Sequence, residues 1–167
     1  MFQKNLSFPG IAWYNLDKKV RSIAMDTENP NGLLPIALDA VVLECRDAAA
    51  LSDFYIRLLG WRKNHVEENE WTDIISPSGG VRIAFQQNPD YIPPVWPDEP
   101  GAQQQMAHLD FTVQNQEQLE LAVQHALSCG AVKAGVQYGE AVLPESESLW
   151  ITLLDPAGHP FCFVIWS

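Results

Sequence analysis

Basic residues are scarce in this chain: ten Lys and Arg stand against 21 Asp and Glu, for a formal charge of −11. Such a body repels phosphates and anionic lipid, so neither nucleic acid nor a membrane surface is an expected partner. Apolar runs are all short, well under the ~20 residues that cross a bilayer. The opening residues, Met1 to Pro9, hold no continuous apolar stretch, so no signal peptide is expected. Cysteine is sparse, with Cys45, Cys129 and Cys162 at no metal-like spacing. That pattern suits reduced, mostly buried thiols in a cytoplasmic protein. There is no Gly-rich phosphate loop and no Gly-x-Ser-x-Gly elbow, which leaves phosphoryl transfer and serine hydrolysis without machinery.

What is present is a core's worth of apolar residues, 47% of 167, and only 19% charged ones. A chain of this length closes around one core without disulfides or metal. Residues 1–35 are set apart by Pro9-Gly10, Asn29-Pro30 and Asn31-Gly32 through Pro35. Trp13, Leu16, Val20 and Ile23 are spaced for a short helix between Ile11 and Met25. We expect an N-terminal extension over 1–35 and a single domain over 36–167.

That domain repeats itself. Leu38 to Asp47 reads as an apolar strand ending on a capping acid, and Met106 to Asn115, shifted by 68, reads the same way. Leu51, Phe54, Tyr55, Leu58 and Leu59 follow the spacing of one buried helix face. The same shift lands on Leu119, Ala122, Val123, Ala126 and Leu127. Gly60 and Gly130 stand where helix C-caps need them, so helices are predicted over 48–59 and 116–129. A second matched stretch follows at a shift of 79: Trp71 to Gly79 becomes Trp150 to Gly158. Each reads as strand, Pro-Gly turn, strand, the last strands being Val81–Gln86 and Phe161–Trp166. A further strand is expected near Arg62–Val66 and near Ala131–Val136. The chain therefore predicts an α+β fold of two tandem βαβββ modules, about 38–88 and 106–167. They are joined by a proline-rich linker over 89–105, and their mixed sheets form a cup.

Two such modules resemble the vicinal oxygen chelate superfamily of glyoxalases, bleomycin resistance proteins and extradiol dioxygenases. The likeness to its glyoxalase-like subgroup runs over about 38–166. It rests on Asp47, Phe54-Tyr55 and Leu58-Leu59-Gly60-Trp61, on Pro94-Val95-Trp96-Pro97 before His108-Leu109-Asp110, and on Asp155-Pro156-Ala157-Gly158 running into Cys162. The resemblance implies a homodimer. It also implies a divalent ion held from the first, fourth, fifth and eighth strands. Here those positions are Ala40, Ile83 or Ala84 depending on register, His108 and Cys162. The two aliphatic positions have no lone pair to offer, and two ligands do not hold a hard cation. A third group such as Glu44 would be needed for a zinc site. No cofactor or metal is expected, and metal-dependent glyoxalase I or dioxygenase chemistry is not.

Strand alternation then decides what lines the cup. If Ala40 faces inward, so do Val42 and Glu44; if His108 does, so do Asp110 and Thr112. Cys162, Val164 and Trp166 follow from the last strand, and Trp71 or Trp150 completes an aromatic wall. A carboxylate two residues from an imidazole fixes its tautomer, which makes His108 and Asp110 the candidate catalytic pair. Glu44, Trp71, Thr112, Trp150, Cys162 and Trp166 are the candidate ligand contacts, with Glu44 opposite His108. If the His108 side chain is buried on a partner, removing it costs about 1–3 kcal/mol. His159, in its turn, reads as structural, and Cys162 as a small buried hydrophobe. Two functions follow: a metal-independent protein that binds a small planar or aromatic molecule, as in bleomycin resistance, or a lyase or isomerase with His108 as acid–base.

Overall fold

The computed structural model describes residues 36–139 and 149–166. The extension over 1–35, with its expected helix, lies outside them. Two helices form where apolar spacing and caps agree: α1 over Ala48–Leu59 and α2 over Gln116–Cys129. The Asp47 carboxylate accepts the Ala50 N–H and the Asn115 side chain accepts the Gln118 N–H, each satisfying one open amide of a first turn. Both helices stop at a left-handed glycine, Gly60 at φ 66° and Gly130 at φ 110°, a conformation that a side chain would strain.

The strands are β1 Ala40–Cys45, β2 Arg62–Glu67, β3 Trp71–Ile75, β4 Arg82–Gln87, β5 Leu109–Thr112, β6 Val132–Lys133, β7 Leu149–Leu154 and β8 Pro160–Ile165. They form two four-stranded mixed sheets of identical order, β1-β4-β3-β2 and β5-β8-β7-β6. In each, the first and fourth strands of the module pair in parallel and the rest antiparallel. The architecture is α+β with one βαβββ unit in each half.

Register settles a point that the sequence leaves open. Val42 pairs with Ala84 and Asp110 pairs with Cys162, so Ala84, not Ile83, is the counterpart of Cys162. The last strands are therefore related by 78 residues, one fewer than the stretch that precedes them. Strand β6 is shorter than Ala131–Val136. Where it stops, the Gln137 side chain takes over the ladder: its amide donates to the Ala134 and Thr152 carbonyls and accepts the Thr152 N–H. His65 lies within β2, exposed beside Glu67.

One apolar cluster draws on both halves. Its centre is aromatic. Tyr55 of α1 stacks on Phe85 of β4, with ring centroids 5.3 Å apart, and Phe54 meets Phe161 of β8 at 6.1 Å. All four rings are fully buried, each worth about 1.5–3 kcal/mol on transfer from water. Helix α1 thus packs on strands of both modules. Its Tyr55 hydroxyl donates to Asp155 at 3.0 Å, in the turn that closes module two. Asp155 also accepts from His159 Nδ1 at 2.9 Å and from the Ala157 and His159 amides. Tyr91 of the linker reaches the same turn, donating to the Ala157 carbonyl and meeting His159 Nε2 at 3.1 Å. His159 is therefore built into the turn's hydrogen bonding. Among the described residues no helix is long and apolar enough to cross a membrane.

Candidate functional site

The faces of β5, β7 and β8 that point away from the helix carry the chemistry. In β5, Leu109 and Phe111 turn toward the core while Asp110 and Thr112 are exposed, as period-two alternation requires. His108 precedes the strand on the exposed face. In β8, Phe161 and Phe163 belong to the core, and Cys162 and Val164 take the opposite side. A cavity of about 350 Å³ opens there. Its polar side is His108, Asp110, Thr152 and Cys162, and its walls are Trp96, Tyr138, Trp150 and Trp166.

His108 Nε2 stands 3.5 Å from Asp110 Oδ1, with the two side chains 45% and 37% exposed. This corrects the expectation of a buried pair: both groups keep solvent, so neither needs a buried partner. Cys162, by contrast, is buried, with its Sγ 3.4 Å from the Thr152 hydroxyl. Burial pushes its thiol pKa up, and nearby Asp110 adds to that against the Thr152 hydrogen bond. Cys162 is a neutral thiol and not an activated nucleophile.

The aromatic walls come from distant parts of the chain. Trp96 sits in the linker, donates its indole N–H to the Val136 carbonyl at 3.3 Å, and meets Tyr138 edge to face at 5.6 Å. Trp150 lies near the start of β7, on the face that carries Thr152. An added Cβ at Gly139 would lie 2.9 Å from its indole and against its carbonyl oxygen, so only glycine permits this approach.

Of the residues predicted for the site, the structure brings together His108, Asp110, Trp150, Cys162 and Trp166. It does not bring Glu44, Trp71 or Thr112 to this cavity. Glu44 lines a second cavity of about 300 Å³ with Tyr91, Gln105 and His159, so it does not stand opposite His108 in one cup. Its carboxylate accepts from Asn88 Nδ2 at 2.9 Å. Trp71 donates its indole N–H to Asp73 in sheet one. Thr112 is exposed further along β5. Sequence reasoning missed Tyr138 and Thr152, and placed Trp96 in a linker groove with Tyr91 rather than in this cavity. Thr152 was within reach, because it pairs with Cys162 across the hairpin. Trp96 and Tyr138 lie in irregular segments where no periodicity points.

The donor set for a metal also differs from expectation. One ligand atom each from His108, Asp110 and Cys162 lie within 4.8 Å of one another. The third donor is Asp110, not Glu44. Imidazole, carboxylate and thiol suit a borderline ion such as zinc, not a hard cation that takes oxygen donors. Cys162 would have to release the proton that its surroundings hold. Those three residues fit such an ion in kind, and it would supply Lewis acidity to a ligand oxygen beside Trp150.

The family model for the glyoxalase-like domain matches residues 40–164. No curated protein matches the chain. Among solved structures, a glyoxalase/bleomycin resistance protein/dioxygenase family enzyme from Burkholderia phytofirmans PsJN is 18% identical, with a TM-score of 0.60 over 79% of this chain and 100% of that one. A Nocardioides glyoxalase/bleomycin resistance protein/dioxygenase is 14% identical, with a TM-score of 0.55 over 89% and 90%. A glyoxalase/bleomycin resistance protein from Albidiferax ferrireducens T118 is 16% identical, with a TM-score of 0.54 over 77% and 98%. Identities this low speak to the fold alone. The family match spans both modules and every strand that carries the cavity, and the chain belongs to the glyoxalase-like domain family of the vicinal oxygen chelate superfamily.

Proposed function

We propose that this protein binds a small planar molecule in the module-two cavity, independently of any metal ion. The observation that carries this reading is the cavity's lining: three tryptophans and a tyrosine around about 350 Å³, with His108, Asp110, Thr152 and Cys162 as its polar groups. Indole and phenol faces offer large, rigid surface for stacking at low entropic cost. The size suits a ligand of two or three fused rings. His108 and Asp110, half-exposed at the polar side, would orient it by hydrogen bonds.

The test is quenching of tryptophan fluorescence by planar probes, on protein treated with a chelator. We expect saturable binding that falls at least tenfold in Trp150→Ala while the melting temperature moves little. Elemental analysis finding about one zinc per chain, lost together with probe binding in His108→Ala, would overturn metal independence.

A second reading rests on the 3.5 Å His108–Asp110 pair. A carboxylate that fixes an imidazole tautomer prepares it for proton transfer, as a lyase or isomerase requires. Conversion of a bound probe into product, abolished in His108→Gln, would favour that reading over sequestration.

A further inference from the structure

We infer that the ligand of this cavity is a planar organic cation, of the guanidinium, amidinium or N-alkylated heteroaromatic class. This rests on the binding reading above and goes beyond it by assigning charge.

Register places Ala84 of β4 where Cys162 stands in β8, and Asp73 of β3 where Thr152 stands in β7. Trp71 corresponds to Trp150, and Arg82 to Pro160. In sheet one this face already holds a planar cation, the chain's own. The Arg82 guanidinium binds Asp73 at 2.9 Å and also pairs with Asp39. Asp73 is completely buried and accepts further bonds from Asn64 at 2.8 Å and from the Trp71 indole at 3.2 Å. Burial pushes the Asp73 pKa up, yet the bonds from Asn64, Trp71 and Arg82 outweigh it and hold the carboxyl below its ordinary range. The frame of sheet one is thus a carboxylate, an indole and a guanidinium.

Module two keeps the indole and removes the internal cation. Pro160 replaces the arginine, so that side chain cannot fill the face. The carboxylate is moved two strands over, to Asp110 of β5 on the position of Val42. Among the described lining residues there is no lysine or arginine. His108 is the only basic group among them, already beside Asp110. Aromatic faces attract cations through their quadrupoles, more strongly where water is excluded. Four aromatic side chains with one carboxylate, on a body of charge −11, favour a cation and disfavour an anion.

Three bicyclic probes of matched size separate the possibilities: N-methylquinolinium, neutral 1-methylnaphthalene and anionic 1-naphthoate, each titrated into chelator-treated full-length protein. The cation should bind at least tenfold tighter than the neutral probe, and the anion weakest. Asp110→Asn should cut the preference for cation over neutral to within threefold. Pro160→Arg, which puts a guanidinium at the position of Arg82, should block the cationic probe. If the neutral or anionic probe binds as tightly as the cation, or if Asp110→Asn leaves the preference intact, the charge assignment is wrong and the binding reading stands. If none of the three binds at millimolar concentration, the binding reading itself falls and the inference with it.

Discussion

Tyr55→Phe tests how the two modules are tied together. The Tyr55 side chain is fully buried in α1 of module one, and its hydroxyl donates to Asp155 of module two at 3.0 Å. Phenylalanine keeps the ring, its stacking on Phe85 and its contact with Phe161, so no cavity opens. What is lost is one hydrogen bond to a buried carboxylate, worth about 1.5–3 kcal/mol. Two features pull the cost toward the lower end. The hydroxyl no longer has to be desolvated, and Asp155 retains His159 Nδ1 and two backbone amides at 2.8–3.0 Å. We therefore expect about 1.5 kcal/mol, which for a domain of this size is about 3–6 °C in melting temperature. The comparison variant is His108→Ala, whose half-exposed side chain should cost less than about 0.5 kcal/mol. Urea unfolding measures both, with a shifted midpoint and an unchanged slope. If Tyr55→Phe unfolds within about 0.3 kcal/mol of the parent, or if His108→Ala costs as much as it does, the placement of stabilising and functional groups argued above is wrong.

Alkaline titration provides a related check. Burial, with Asp155 nearby, raises the Tyr55 pKa well above its ordinary 10.0, and burial raises Tyr91 in the same direction. The unfolded chain then loses phenolic protons before the folded one does, so stability is full below pH 10 and declines above it; Tyr55→Phe should flatten that decline in denaturant melts. Gly139→Ala should push Trp150 out of place and weaken probe binding at least tenfold, since an added Cβ lies 2.9 Å from its indole; unchanged affinity would show that Trp150 is not a wall of the site. In thiol labelling of the native protein at pH 8, the partly exposed Cys129 should react first. Cys45, pushed up to about 11 mainly by burial, and Cys162 should wait for unfolding; fast labelling of all three would contradict the burial argument. Light scattering at micromolar concentration should find the homodimer that the resemblance implies, and a monomer there would refute it.

Much of this molecule is decided by local rules. Apolar spacing, Asp47 and Asn115 as N-caps, and Gly60 and Gly130 as C-caps set both helices to the residue, because each signal acts within one or two turns. The repeat determined the order of elements, and alternation put Asp110 and Thr112 on the exposed face of β5. Tertiary structure decided the rest, because it depends on which distant segments meet. The register of β1 on β4 made Ala84 the counterpart of Cys162 and exposed the exchange of Arg82 for Pro160. The paths of the linker and of the segment after β6 brought Trp96 and Tyr138 to the wall of the cavity, while Glu44 of β1 lines another. Sequence names the residues able to line a pocket; loop closure and long-range pairing choose among them, and neither leaves a period in the chain to read.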